Sequence, residues 1–362
     1  MSDSLLNAVE QAVKGYQDPY LGMDLFAANA ISKLEVHGDE VLLEVNLKYP
    51  SEHLKHGIGQ MLKMAIENID EVDQATVNVD WQVESHKAHE NLANIKNVKN
   101  IVAVASGKGG VGKSTTSVNL ALALAKDGAR VGILDADIYG PSLAMLLGVA
   151  DGTRPETVNE KFFKPVMAQG LQTMSMAYMI TESTPLVWRG PMVSGALQQL
   201  IMQTVWDDLD YLVVDMPPGT GDIQLTLSQK IPVSASVVVT TPQDIALLDA
   251  KKGIEMFNKV NIPVLGIVEN MSIHICGNCG HVEHIFGEGG AQKIAQEFGT
   301  EILGALPLSK YIREQSDSGL PVVAHDEEGE VAVMYRNTAR NLAARLSVLK
   351  SVQVPNIEIS HD

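Results

Sequence analysis

The sequence predicts an α/β fold: a mostly parallel sheet covered by helices on both faces, preceded by a small α+β domain. Two patterns predict the large part. From residue 101 onward, short and mostly apolar runs recur at 101–106, 130–137, 171–177, 211–217, 234–241, 263–270 and 301–307. Runs of that kind suit strands buried on both faces, as parallel sheets require. Helical stretches lie between them at 114–128, 195–206 and 244–260, and such alternation puts helices on both sides of one sheet. A third pattern, helix–strand–strand–helix–strand over the first 85 residues, predicts the small domain.

Within that small domain, Leu5, Val9 and Val13 recur every fourth residue, as one face of a helix over 4–14 requires. The segment ISKLEVHGDEVLLEVNL alternates on either side of His37-Gly38-Asp39, a hairpin signal. Residues 52–68 resume helical spacing, and 75–83 alternate again. The polar stretch 84–100 lacks β-branched clustering and reads as a connection. The domains are therefore drawn at 1–85 and 101–362, with 86–100 as linker.

Composition narrows the function. The 362 residues carry 27 Lys and Arg against 44 Asp and Glu, a formal net charge of −17. A field of that sign repels phosphate backbones and anionic lipid, so neither nucleic acid nor a membrane surface is an expected partner. No run approaches the roughly 18 apolar residues that span a bilayer, and the acidic opening residues do not resemble a secretory signal. Cys276 and Cys279 are the chain's two cysteines, too few for a disulfide framework, which points to the reducing cytoplasm.

Directly after the first buried run comes Gly107-Lys108-Gly109-Gly110-Val111-Gly112-Lys113-Ser114, followed by helix-forming residues from Thr115. This fits G-x-x-x-x-G-K-[ST] between strand and helix. Glycines let successive N–H groups turn inward onto phosphate oxygens, and the helix N-terminus adds its positive dipole end. Residues 107–115 are thus the candidate nucleotide-phosphate site, with Lys113 reaching the β- and γ-phosphates and Ser114 ligating Mg²⁺. Gly107, Gly109 and Gly112 also satisfy G-x-G-x-x-G, with Asp135 placed where a dinucleotide site would keep its ribose-binding acid; the Lys-Ser pair has no use in that reading.

Further carboxylates fall at strand ends. Asp215 closes the run Tyr211–Val214 and precedes Met216-Pro217-Pro218-Gly219, the arrangement that holds Mg²⁺ through water, with Gly219 placed to sense a γ-phosphate. Asp135 and Asp137 end the second run, where an acid would position attacking water or support magnesium ligands. Taken singly, each is also readable as a cap or a turn residue.

Cys276 and Cys279 flank a turn of Gly277 and Asn278, which brings both sulfurs to one side as soft-metal chelation demands. Two thiolates are half of a cluster site, and a symmetric dimer would supply four. A redox dithiol, or zinc completed by His274, His281 or His284, are the other readings.

Lys108, a second lysine inside the loop, resembles the signature lysine of deviant Walker-A NTPases such as nitrogenase iron protein and the Min and Par ATPases. That resemblance implies an ATP-dependent homodimer in which Lys108 crosses to the partner's nucleotide. The set GKGGVGKS, LDADIYGPS, DMPPGTGD, GIVENMS and CxxCG is similar to the Mrp/ApbC family of iron–sulfur cluster carrier ATPases, over about residues 95–350. The first 85 residues, with Asp18-Pro19, are similar to the small MIP-type iron–sulfur assembly domain. The family resemblance implies a P-loop NTPase fold and slow ATP hydrolysis at Lys108, Lys113 and Asp137, with Asp137 orienting water. It implies adenine held by Asn270 and the Pro307 region, and a labile 4Fe–4S cluster bridged between two subunits by Cys276 and Cys279. Cluster donors and apo iron–sulfur proteins are the implied partners. A Min- or Par-type positioning switch is the alternative.

Other features are plainer. Trp188-Arg189-Gly190-Pro191 reads as the start of a helix. Residues 338–350 put Leu342, Leu346 and Leu349 on one face, as a docked helix or, less in keeping with the charge, a membrane-targeting one. His53, His86 and His89 read as solvated surface.

Overall fold

The computed structural model describes residues 2–86, 92–179 and 190–349; His89, Trp188, Arg189 and Lys350 lie outside the described residues. The amino-terminal unit runs α1 (Ser2–Lys14), β1 (Ile31–His37), β2 (Glu40–Leu47), α2 (Lys55–Glu67) and β3 (Gln74–Trp81). Its sheet has β2 in the centre, antiparallel to β1 and parallel to β3. Gly38, at φ +68°, turns the β1–β2 hairpin in the left-handed region that glycine enters without steric cost. Alternation along β2 buries Val41, Leu43, Val45 and Leu47 in one cluster with Val9, Val13, Leu62 and Ile66 of the two helices.

The large unit follows as β4 (Val98–Ala105), α3 (Lys113–Lys126), β5 (Val131–Asp135), β6 (Val166–Ala168), β7 (Leu171–Ser175), α4 (Gly190–Gln203) and β8 (Leu209–Asp215). It continues through α5 (Asp222–Lys230), β9 (Ala235–Thr240), α6 (Asp244–Lys259), β10 (Val264–Ile275), β11 (Val282–Glu283), α7 (Gly290–Phe298), β12 (Ile302–Pro307), α8 (Lys310–Asp317) and α9 (Glu330–Ser347). These nine strands form one sheet in the order β6-β7-β5-β8-β4-β9-β10-β11, with β12 also paired to β10. All neighbours are parallel except β6 with β7 and β11 with β10.

Period-two alternation along β4 explains the two cores. Val102 and Val104 face one layer, which includes α3, α9 and the amino-terminal unit; Ile101, Ala103 and Ala105 face the other, which includes α4 and α6. The sheet's order diverges on either side of β4, so the loop leaving it opens at the carboxyl edge, where such sheets hold ligands.

Three observations differ from the sequence reading or decide between its alternatives. β4 begins at Val98, inside the segment read as linker; Asn100 there is fully buried and donates its amide to the Glu84 and Asp210 carbonyls. His86 is half-buried, its N–H bonding Asn100 Oδ1 at 2.9 Å, whereas His53 is exposed as expected although its Nε2 bonds the Lys126 carbonyl at 2.9 Å. α9 is docked on α3 and β12 with Leu342 and Leu346 buried.

Leu120 on α3 is fully buried, in the same cluster as Val102 of β4 and Leu342 of α9. Leu120→Ala should lower the unfolding free energy by about 2–5 kcal/mol, read from urea denaturation; a loss below about 0.5 kcal/mol would mean that α3 is not core.

Candidate functional site: a phosphate loop and a paired-thiol hairpin

The chain from Gly107 to Gly112 wraps ahead of α3, and Gly110 (φ +85°) and Gly112 (φ +80°) make that turn in the left-handed region. Gly112 is constrained twice, because a Cβ there would collide with the Asn270 carboxamide. Asn270 Nδ2 donates to the Val111 carbonyl at 2.8 Å, so β10 grips the loop. On the other side, a Cβ at Gly107 would collide with the Asp249 backbone of α6.

Beside this loop lies a cavity of about 550 Å³, lined among others by Gly110, Lys113, Ser114, Thr115, Asp137 and Asn270. Gly109, Gly112, Pro218, Met271 and Pro307 also face it. The sequence reading missed Arg313 and Asp317 of α8 on its rim; they pair at 2.8 Å, and their i,i+4 spacing was the available signal.

At the base of the loop, Lys113 Nζ lies 2.6 Å from Asp215 Oδ1, and both side chains are buried. Ser117 Oγ donates to the same oxygen at 2.6 Å, and Lys113 Nζ is 3.2 Å from Ser114 Oγ. Asp215 Oδ2 is buried with no hydrogen-bond partner among the described residues, an acceptor beside the hydroxyl-and-ammonium corner where a hydrated divalent cation and its phosphates would fit. Asp135 stands next to Asp215 in strand register. Its carboxylate accepts N–H bonds from Asp137, Ser142 and Leu143, so it shapes the edge from beneath rather than facing the cavity. Gly219, at φ +101°, donates its N–H to the Ser106 carbonyl at 2.9 Å. Lys108 is exposed and lines a separate depression with Gln243, Asp244, Ile245 and Ala246, outside its own chain's phosphate cavity.

β10 runs past Asn270 to Ile275, further than the apolar run suggests, and leads straight to the thiols. The Cys276 N–H bonds the His281 carbonyl at 2.9 Å, and the Gly280 N–H bonds the Cys276 carbonyl at 2.9 Å, closing the turn between β10 and β11. Cys276 is half-buried and Cys279 exposed. Backbone N–H groups of Asn278 and Cys279, with the Cys279 side chain, lower the Cys276 thiol below its ordinary value. Of the histidines near the turn, His274 bonds the Leu308 carbonyl at 3.1 Å, while the His281 and His284 rings lie 3.8 Å from Glu283 and Glu288, beyond hydrogen-bond distance. Among the described residues no three His, Cys, Asp or Glu side chains gather as a metal site.

The family model described as NUBPL iron-transfer P-loop NTPase matches residues 97–343. This chain belongs to that family. A second model, described as iron–sulfur cluster assembly protein, matches residues 6–79. An iron–sulfur cluster carrier protein of Pseudomonas fragi is 62% identical over 77% of this chain and 97% of its own length. One from Haemophilus influenzae is 49% identical over 94% and 92%. A solved nucleotide-binding protein of Archaeoglobus fulgidus, in complex with ADP, is 36% identical with TM-score 0.57, covering 66% of this chain and 92% of that one. The iron-transfer NTPase thus carries the P-loop NTPase fold that the motifs imply.

Burial first, and the Asp215 carboxylate second, push the Asp135 carboxyl of this NTPase up to about 7. A carboxyl whose pKa is higher folded than unfolded favours folding while protonated, and that contribution is lost as pH rises through the folded value. Wild type should therefore lose stability relative to Asp135→Asn between about pH 4 and about pH 7 in urea unfolding of the nucleotide-free protein; parallel pH profiles would refute this.

Proposed function

We propose that the chain is an ATP-dependent iron–sulfur cluster carrier, which takes up a 4Fe–4S cluster and passes it to apo-proteins. The observation that carries this reading is the continuity of β10: Asn270 holds the phosphate loop and, six residues on, Cys276 begins the paired-thiol turn. Six residues reach at most about 20 Å, so one continuous strand joins the nucleotide site to the cargo site. The family match favours a carrier over a Min- or Par-type switch.

In this reading Lys113 leaves Asp215 to meet the β- and γ-phosphates. Ser114 and Asp215 would hold Mg²⁺, which would supply charge neutralisation for the phosphates. Asp137 orients the attacking water, while Gly107–Thr115 enclose the phosphates and Asn270 and Pro307 hold adenine. Gly219 exchanges its bond to Ser106 for the γ-phosphate, and Asp135 keeps the adjoining turn in place. Lys108 lies outside its own phosphate cavity and reaches a partner's nucleotide.

Two thiolates per chain make half of a four-thiolate site, so the cluster bridges a homodimer through Cys276 and Cys279 of both copies. The same proposal assigns 1–85 to an assembly-type domain and the chain from β4 at Val98 onward to the ATPase, working in the cytoplasm with cluster donors and apo iron–sulfur proteins.

Anaerobic reconstitution with iron and sulfide tests it. About four irons and four sulfides per two chains, in a species of dimer mass, are expected, and the Cys276→Ser/Cys279→Ser protein should bind none. Stoichiometric zinc in a monomer without cluster uptake would refute the carrier.

A further inference from the structure

The far end of the phosphate-loop helix is closed by the amino-terminal unit. α3 has 14 residues, so its last turn lies about 20 Å from Lys113 at ~1.5 Å per residue. The final carbonyls of a helix have no partner within it. Here the Lys126 carbonyl accepts from His53 Nε2 at 2.9 Å, and the Asp127 carbonyl from the Glu52 N–H at 3.2 Å. The next residue, Gly128, has φ +102°, and a Cβ on it would strike the Trp81 ring.

The Asp127 side chain is the centre of this junction. It is 1% exposed and accepts from Arg336 Nη2 at 3.0 Å and from Arg340 Nε and Nη2 at 2.6 and 2.8 Å. Arg340 also reaches across to the amino-terminal unit. Its Nη1 donates to Tyr20 Oη at 3.2 Å, and its guanidinium sits 5.7 Å from the centre of the Tyr20 ring. Tyr20 in turn donates to Asn337 Oδ1 at 3.0 Å. Behind it, Asp18 Oδ1 accepts the Tyr20 and Leu21 N–H groups, and Asp18 Oδ2 accepts the Tyr49 hydroxyl at 2.6 Å.

We propose that Tyr20, Arg340 and Asp127 are positioning residues for nucleotide binding. The docked amino-terminal unit holds α3 in the placement that presents Lys113 and Ser114 to phosphate, and nucleotide affinity is linked to docking. The physical basis is discreteness. A buried carboxylate forked by two guanidiniums has one satisfied arrangement, because sliding α3 along its axis would strand a buried charge. A helix transmits that restraint from one end to the other as a rod. Linkage is reciprocal, so whatever docking adds to nucleotide affinity, nucleotide adds to docking by the same factor.

The proposal rests on the phosphate loop binding nucleotide, and the test separates the two claims. Mg·ADP is titrated calorimetrically into the full-length wild type, Tyr20→Ala, Tyr20→Phe and Arg340→Lys, with the unfolding midpoint of each recorded. Tyr20→Ala should raise the Kd by about 5- to 10-fold, and Tyr20→Phe, which keeps the ring over Arg340, by less. In the wild type, Mg·ADP should slow amide exchange over residues 17–30; in Tyr20→Ala it should not. Variants with lowered midpoints but wild-type Kd and exchange response would overturn the proposal and leave the junction purely structural. If Tyr20→Ala does not fold, Tyr20→Phe and Arg340→Lys decide by the same criterion. A wild type that binds no Mg·ADP would defeat the nucleotide-site reading and this proposal together.

Discussion

The organising contact of the molecule is the buried pair between Lys113 and Asp215, 2.6 Å apart at the carboxyl edge of the sheet. A carboxylate and an ammonium this deep each need opposite charge beside them, since removing one partner of a buried pair typically costs about 3–5 kcal/mol. Much of the fold follows from keeping them together. β8 must end at Asp215 and β4 must run beside it to launch the loop, and α3 must start at Lys113. The two glycines at positive φ allow the chain to turn fast enough to do so. Asp215 commits one oxygen to Lys113 and Ser117 and leaves the other without a hydrogen-bond partner among the described residues.

The pair's neighbours spread its influence along β10. Glu269 Oε1 accepts the Ala291 N–H at the start of α7, Asn270 holds Val111, and His274 bonds the Leu308 carbonyl. Between them Met271 takes φ +55°, and the pairing with β12 shifts register between Glu269 and Ile273. A non-glycine residue in that region is strained. Here the strain sits on the short covalent path between the loop and the thiols.

Much of this is legible in the sequence because it is local. The phosphate loop is eight consecutive residues, the thiols are three apart, and the strands of the parallel sheet are short apolar runs. What is not legible depends on distant partners. Asp127 meets Arg340 across 213 positions and Asn270 meets Val111 across 159, and no periodicity encodes either. The apolar run 263–270 hides the rest of β10 because Glu269 and Asn270 interrupt it; their polar groups are satisfied by α7 and the loop, so the strand passes through. His53 and His86 look like surface residues by composition, and it is a helix end and a buried Asn100 that recruit them. Lys108 is recognisable from its place in the loop, but its position outside its own cavity needs the fold.

The central claim is that nucleotide at Lys113 governs cargo at Cys276. Its most direct test is the rate at which the cluster-loaded chain passes its cluster to an apo-acceptor, followed by absorbance with and without Mg·ATP. The wild type should transfer at clearly different rates in the two conditions, and Lys113→Ala at one rate in both. Equal rates for the wild type, with nucleotide demonstrably bound, would contradict the account.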